Sequence, residues 1–94
     1  MGQWKYTLKS GKALRNAIDE EDYEGIIDGL VACFSELNKA LPDDYDADEL
    51  DSDLADIDGI RDTLDEGDDI EDELNYKLDE LYDLCDALKV WVDL

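Results

Sequence analysis

Histidine is missing from this chain of 94 residues, and its absence excludes imidazole proton relays, Ser-His and Cys-His nucleophiles and histidine-held metals. No glycine-rich phosphate loop occurs either. Carboxylate pairs alone serve glycoside hydrolysis, but 29 acids make such pairs inevitable, and so short a chain has little room for both a core and an enclosed cleft. The sequence therefore predicts no enzyme, no catalytic residue and no cofactor. Cysteine is scarce too, with Cys33 and Cys85 alone. Both fall on apolar stripes, where a cysteine acts as a small buried hydrophobe more often than as a reactive or bridged thiol. No apolar run approaches the roughly 18 to 20 residues that span a bilayer, and Met1-Gly2-Gln3-Trp4-Lys5 lacks a signal-peptide core. The expectation is a cytoplasmic protein of a bacterial or infected host cell. Positive charge is the last scarcity. Eight Lys and Arg face 29 Asp and Glu, for a net charge of −21. Such a chain is repelled by anionic lipid and by nucleic acid, so it is expected to bind neither directly and to meet basic surfaces instead.

What is present is a regular apolar pattern under an uneven charge. The hydrophobic fraction of 44% is ordinary for a globular chain, and its helical spacing argues against the disorder that self-repulsion would otherwise favour. Residues 1 to 42 carry 7 acids and 5 bases, net −2, whereas residues 43 to 94 carry 22 acids and 3 bases, net −19. One domain spanning residues 1–94 is expected, electrically two-sided.

Trp4, Tyr6 and Leu8 alternate with polar residues at period two, as do Val90, Val92 and Leu94 at the other end. These segments admit pairing as a two-stranded β-ribbon that joins the termini and brings Trp4 near Trp91, closing the core. A short helix is expected near Lys12 to Glu20, on Ala13, Leu14, Ala17 and Ile18. Asp22 reads as the N-cap of a longer helix whose apolar positions run Ile26, Ile27, Leu30, Val31, Phe34, Leu37 and Leu41 up to the stop at Pro42. Gly25 and Gly29 within it imply close approach of another backbone. Leu50, Leu54, Ile57 and Leu64 follow a bundle-seam spacing interrupted by Arg61. Gly67 marks a stop and Asp68 a cap, after which Ile70, Leu74, Leu78, Leu81, Cys85 and Leu88 repeat the stripe. Short connections make such neighbours antiparallel. The predicted fold is mainly α, an antiparallel bundle of three main helices with a short N-terminal helix and the terminal ribbon.

Asp56-Ile57-Asp58-Gly59 resembles the middle of a calcium-binding EF-hand loop with Gly59 at the sixth position. The register then places Leu54 first, Arg61 eighth and Asp65 twelfth, where a bidentate Glu is required. No metal site is expected. The acids themselves form rows. Asp72, Asp79, Asp83 and Asp86 lie opposite the apolar stripe of the last helix, and Asp48, Glu49, Asp51, Asp56, Asp62 and Glu66 project from the preceding one. Asp43, Asp44 and Asp46 lead into that helix, with Tyr45 among them as the best aromatic anchor. Tyr23, Tyr76 and Tyr82 are further aromatic anchor candidates, though Tyr23 and Tyr82 sit beside apolar stripes and read more as core-edge residues.

Asp43 through Glu73 holds 17 acids and one base, which on a helix is a carboxylate every ~3 Å of rise. A DNA strand carries a phosphate about every 3.4 Å. Solvated helix faces and N-terminal dipole preferences account for part of this acidity, and adaptation to high salt also raises it. The 6 Lys against 2 Arg and the nearly neutral first half do not match a uniformly acidified surface. Solubility alone asks for a net charge of only about 2 to 8 in magnitude.

On its compact length, the Asp43 to Glu73 acid density and the lack of catalytic residues, the chain resembles the small acidic proteins with which phages and mobile elements counter host defence. These include DNA mimics that block restriction enzymes and anti-CRISPR proteins that occupy the DNA-binding or PAM-reading groove of a Cas nuclease. The resemblance implies a stoichiometric inhibitor that competes with DNA for the Lys and Arg side chains of a nucleic-acid-binding protein or nuclease. Two alternatives stay open: an immunity or antitoxin protein neutralising a basic nuclease toxin, and a phage assembly protein docking through exposed apolar surface.

Overall fold

The computed structural model describes residues 4–92. In chain order it contains β1 (Tyr6–Leu8), α1 (Gly11–Asp19), α2 (Tyr23–Ala40), α3 (Ala47–Asp65), α4 (Glu71–Leu88) and β2 (Val90–Val92). The expected bundle of three main helices, the short first helix and the joining of the termini are all present. Leu94, expected to extend the last strand, lies outside the described residues.

α2 is the centre of the molecule, touching β1, α1, α3 and α4. Its sequence dictates this position, because Ile26, Ile27, Leu30, Cys33, Phe34 and Leu37 are all buried and form one broad apolar stripe. The Asp22 carboxylate accepts the Gly25 amide at 3.2 Å, which satisfies one of the free N–H groups at the helix start. The helix ends where Pro42 follows Leu41, a residue that a succeeding proline bars from helical geometry. Gly29 is where α1 comes closest: a methyl group built there would stand 3.0 Å from the Leu14 Cα. Close packing, expected from the two glycines, is thus the local fact.

α1 has no side-chain cap of its own. Glu36 of α2 supplies the anchor instead, with one carboxylate oxygen accepting the Ser10 amide at 2.8 Å and the other accepting the Lys9 amide at 2.9 Å and the Tyr6 hydroxyl. Burial by itself would raise the Glu36 pKa, but these donors outweigh it and hold the group below its ordinary value. One carboxylate therefore ties β1 and the start of α1 to the central helix.

α3 is tied down more lightly. Its fully buried residues are Ile57 and Ile60, with Leu50, Leu54 and Leu64 half-buried. Ile60 takes the seam place expected for Arg61. The arginine instead reaches across to α2, where its guanidinium donates to Asp28 at 2.8 Å, an exposed pair worth less than about 1 kcal/mol. Gly67, at φ +86°, makes the turn that ends this segment. The expected cap Asp68 is not used. Asp69 accepts the Glu71 amide at 3.0 Å, and Ile70 occupies the cap position without a side-chain bond.

α4 ends at Lys89, a non-glycine residue at φ +60°, and the chain turns at once into β2. β1 and β2 are parallel, in the register Tyr6 to Val90 and Leu8 to Val92, extended by the Lys5 amide donating to the Lys89 carbonyl at 2.7 Å. Leu8, Val90 and Val92 turn inward. Trp4 and Trp91 do meet, edge to face at 5.4 Å, yet they remain 44% and 46% exposed. They stand over the outside of the ribbon rather than closing the core.

Two glycine substitutions separate packing from propensity. Gly29→Ala is expected to destabilise the chain by about 1–3 kcal/mol, because the new methyl meets Leu14 backbone. Gly59→Ala, whose methyl meets nothing within 4 Å, is expected to stabilise it by about 0.5–1 kcal/mol through helix propensity. Urea unfolding followed by circular dichroism reads both.

Candidate functional site: the acidic faces of α3 and α4

The acidic half is organised around one base. Lys77 is only 3% exposed, at the place three residues after Leu74 and four before Leu81 where the stripe of α4 faces inward. Its ammonium group donates to Asp53 Oδ1 at 3.1 Å, Asp56 Oδ2 at 3.1 Å and Glu80 Oε2 at 3.0 Å. It also stands 5.8 Å above the Phe34 ring of α2, within cation–π range. Burial favours the neutral amine, yet the three carboxylates outweigh it and raise the Lys77 pKa. A buried charge survives only when paired and hydrogen-bonded in this way.

Tyr45 belongs to the same network. Expected as an exposed anchor, it is 1% exposed and packs against Phe34 with ring centroids 6.1 Å apart. Its hydroxyl donates to Asp53 Oδ2 at 2.6 Å, while its carbonyl accepts from the Asn38 side chain at 2.7 Å. Burial first, and then the bond to Asp53, push its pKa up. The reason for the miss is physical: a tyrosine in an acidic linker reads as solvated unless a polar partner inside the fold is known. Tyr45 therefore offers no surface to a partner, and its role is to hold the α2–α3 linker against the bundle.

The remaining site residues are where the spacing placed them. Asp43, Asp48, Glu49, Asp51, Asp62, Glu66, Asp72, Asp79, Asp83 and Asp86 are all exposed. Asp44 lies 3.8 Å from the Lys5 ammonium, and Asp46 caps α3 by accepting the Glu49 amide at 2.9 Å. Asp56 keeps an exposed side chain while bonded to Lys77. Among the described residues, the acids from Asp43 to Asp86 that pair with a base are Asp44, Asp53, Asp56 and Glu80. The others face solvent without a cation.

Their placement serves the helices only at one end. Glu71, Asp72 and Glu73 favour the start of α4, as Asp48 and Glu49 favour that of α3. The last turns of both helices, however, carry no base and include Asp65 and Asp86, where negative charge opposes the helix dipole at about 0.3–1 kcal/mol each. Asp56 of α3 and Asp72 and Glu73 of α4 come together along an open groove of about 510 Å³ between the two helices, with Tyr76 on its wall. Sequence reasoning missed Lys77 and placed Glu73 in neither acidic row, whereas Tyr76 was already a candidate anchor. Of the first two, only Lys77 left a signal, a base in register with an apolar stripe.

The EF-hand-like stretch lies wholly inside α3, so its acids point from a helix and not into a loop that wraps an ion. The two thiols are buried, and burial pushes Cys33 up to about 12 and Cys85 up to about 11, far from the thiolate that reactive cysteines require. Among the described residues no helix is long and apolar enough to cross a membrane. Comparison with protein-family models, with characterised proteins and with solved structures finds no match.

Lys77→Met keeps the bulk and removes the charge, and it is expected to cost about 2–4 kcal/mol, because the carboxylates lose their common partner. The pH dependence follows from the raised values. The folded chain holds Lys77 and Tyr45 protonated to higher pH than the unfolded chain does, so their contribution is complete below about pH 10 and is lost as pH rises beyond it. The two thiols act in the same sense from about pH 8.5. The urea midpoint is therefore expected to fall from about pH 8.5 and more steeply above about pH 10, and Lys77→Met is expected to flatten the steeper part.

Proposed function

We propose that this chain is a non-enzymatic acidic binding protein, a DNA-mimic inhibitor of a basic nucleic-acid-binding protein such as a host-defence nuclease. The observation that carries the reading is the set of exposed, cation-free carboxylates on α3 and α4, continued into helix ends where they oppose the dipole. A negative surface with no internal counter-charge attracts a basic groove over distance and competes there with phosphate. The long axis of 42 Å matches about 12 base pairs at ~3.4 Å each, so one molecule has the reach to cover a short duplex site. Inhibition on this reading is stoichiometric. The acids act collectively, and the partner is a protein rather than a nucleic acid or a membrane.

A second reading, an immunity or antitoxin protein bound to a basic nuclease toxin, draws on Tyr76, which is 68% exposed beside the acidic groove. An aromatic in that setting suits a compact hot spot.

The test is capture from bacterial lysate on the immobilised protein at low and high salt, with duplex DNA as competitor. Recovery of a basic nucleic-acid-binding protein that salt releases and DNA displaces is the expected result; recovery of nothing basic at any salt would sink the proposal. With a partner in hand, Asp48→Asn, Asp62→Asn, Asp72→Asn and Asp83→Asn are each expected to weaken binding only about two- to fivefold and to multiply when combined. One substitution costing roughly thirtyfold or more would favour the toxin-inhibitor reading instead.

A further inference from the structure

We infer that the groove between α3 and α4 is a docking slot for a basic amphipathic segment of the partner, one that presents an apolar side chain flanked by Lys or Arg. The inference rests on the reading of the partner as a basic protein and adds where that partner is anchored. Lys77 of α4 bridges to Asp53 and Asp56 of α3, and beside these ion pairs the two helices leave a channel lined by Ala55, Gly59, Ile60 and Tyr76. Ala55 and Gly59 leave room on the α3 side, and a methyl group built on Gly59 meets nothing within 4 Å. The volume of about 510 Å³ falls in the ~300–1,000 Å³ range that seats a drug-sized group or a few side chains.

Charge complementarity selects the occupant. Asp56, Asp72 and Glu73 line the groove, and its one base, Lys77, is buried with three carboxylates on its ammonium. The rim is thus negative with no free cation. A second copy of this chain would bring an equally acidic rim against it, and nucleic acid would bring phosphate; both are repelled. An aliphatic or aromatic side chain fills the floor while neighbouring Lys or Arg groups reach Asp72 and Glu73, and an Arg has the Tyr76 face to stack on. This is the groove-and-helix mode of recognition with a charged rim that fixes the sign of the ligand.

Two synthetic peptides of equal length and charge test it by titration calorimetry at ~0.15 M salt, where charges beyond ~8 Å are screened. One is an amphipathic Leu/Lys helix and the other a Lys/Ser peptide without apolar residues. The protein is expected to bind the amphipathic peptide at least tenfold more tightly. Gly59→Leu, which fills the groove at a helix position with open space, and Tyr76→Ala, which removes the exposed wall, leave the net charge unchanged. Each is expected to abolish that preference and leave the affinity for the Lys/Ser peptide as it was. Equal affinity for the two peptides, or a preference that survives both variants, overturns the slot while leaving the acidic-surface reading standing. Binding of neither peptide overturns both. Concentration-dependent dimerisation that Gly59→Leu removes would assign the groove to a second copy and overturn the inference as stated.

Discussion

The ammonium group of Lys77 is the one positive charge buried in the described structure, and the acidic half is arranged around it. It sits where α4 turns its apolar stripe inward, almost wholly withdrawn from water, and two of its three carboxylates come from α3. Without that charge α3 would hold to the bundle through Ile57, Ile60 and a few half-buried leucines, against the mutual repulsion of the acids on both helices. Asp53 then passes the constraint on, taking the Tyr45 hydroxyl on its other oxygen and so fixing the linker between α2 and α3. Phe34 of α2 meets both Lys77 and Tyr45. One polar network thus ties the acidic helices to the apolar centre.

The same network divides the acids into two populations. Asp53, Asp56 and Glu80 are engaged, and their charge is matched inside the fold. The outward acids of α3 and α4 are matched by nothing in the described chain, and at the C-terminal turns of both helices they work against the dipole. Repulsion among them lowers stability and brings no compensating contact within the molecule. An external cationic surface would remove that cost. This is the physical content of the functional proposal, and the α3–α4 groove lies beside the same network, with Asp56 and Lys77 in its lining.

Much of the fold was legible because the apolar spacing is regular. The run from Ile26 to Leu37 belongs to the central helix, Asp22 caps it, Pro42 stops it, and Gly67 turns the chain. The pairing of the termini followed from period-two alternation, although alternation is silent on direction, and the strands are parallel. What escaped depends on partners distant in sequence. Lys77 interrupts a leucine stripe, and a lone base there is assigned to solvent until three carboxylates are placed around it. Tyr45 looked exposed because its neighbours are acids, and Asp68 looked like a cap until Asp69 took the Glu71 amide. The acids of the two rows are exposed as their spacing predicts, but Asp56 is also held by Lys77. The groove was not legible, because it arises from the spacing between two helices rather than from any motif.

The most direct measurement is an NMR titration of the Lys77 side chain, following its Cε and Nζ resonances in the intact protein. Lys77 is expected to keep its proton to a pKa above the ordinary lysine value of about 10.4, with Asp53 and Glu80 responding as it loses that proton. A value at or below the ordinary one would mean that burial outweighs the carboxylates, that Lys77 does not hold α3 to α4, and that the division between engaged and outward acids fails.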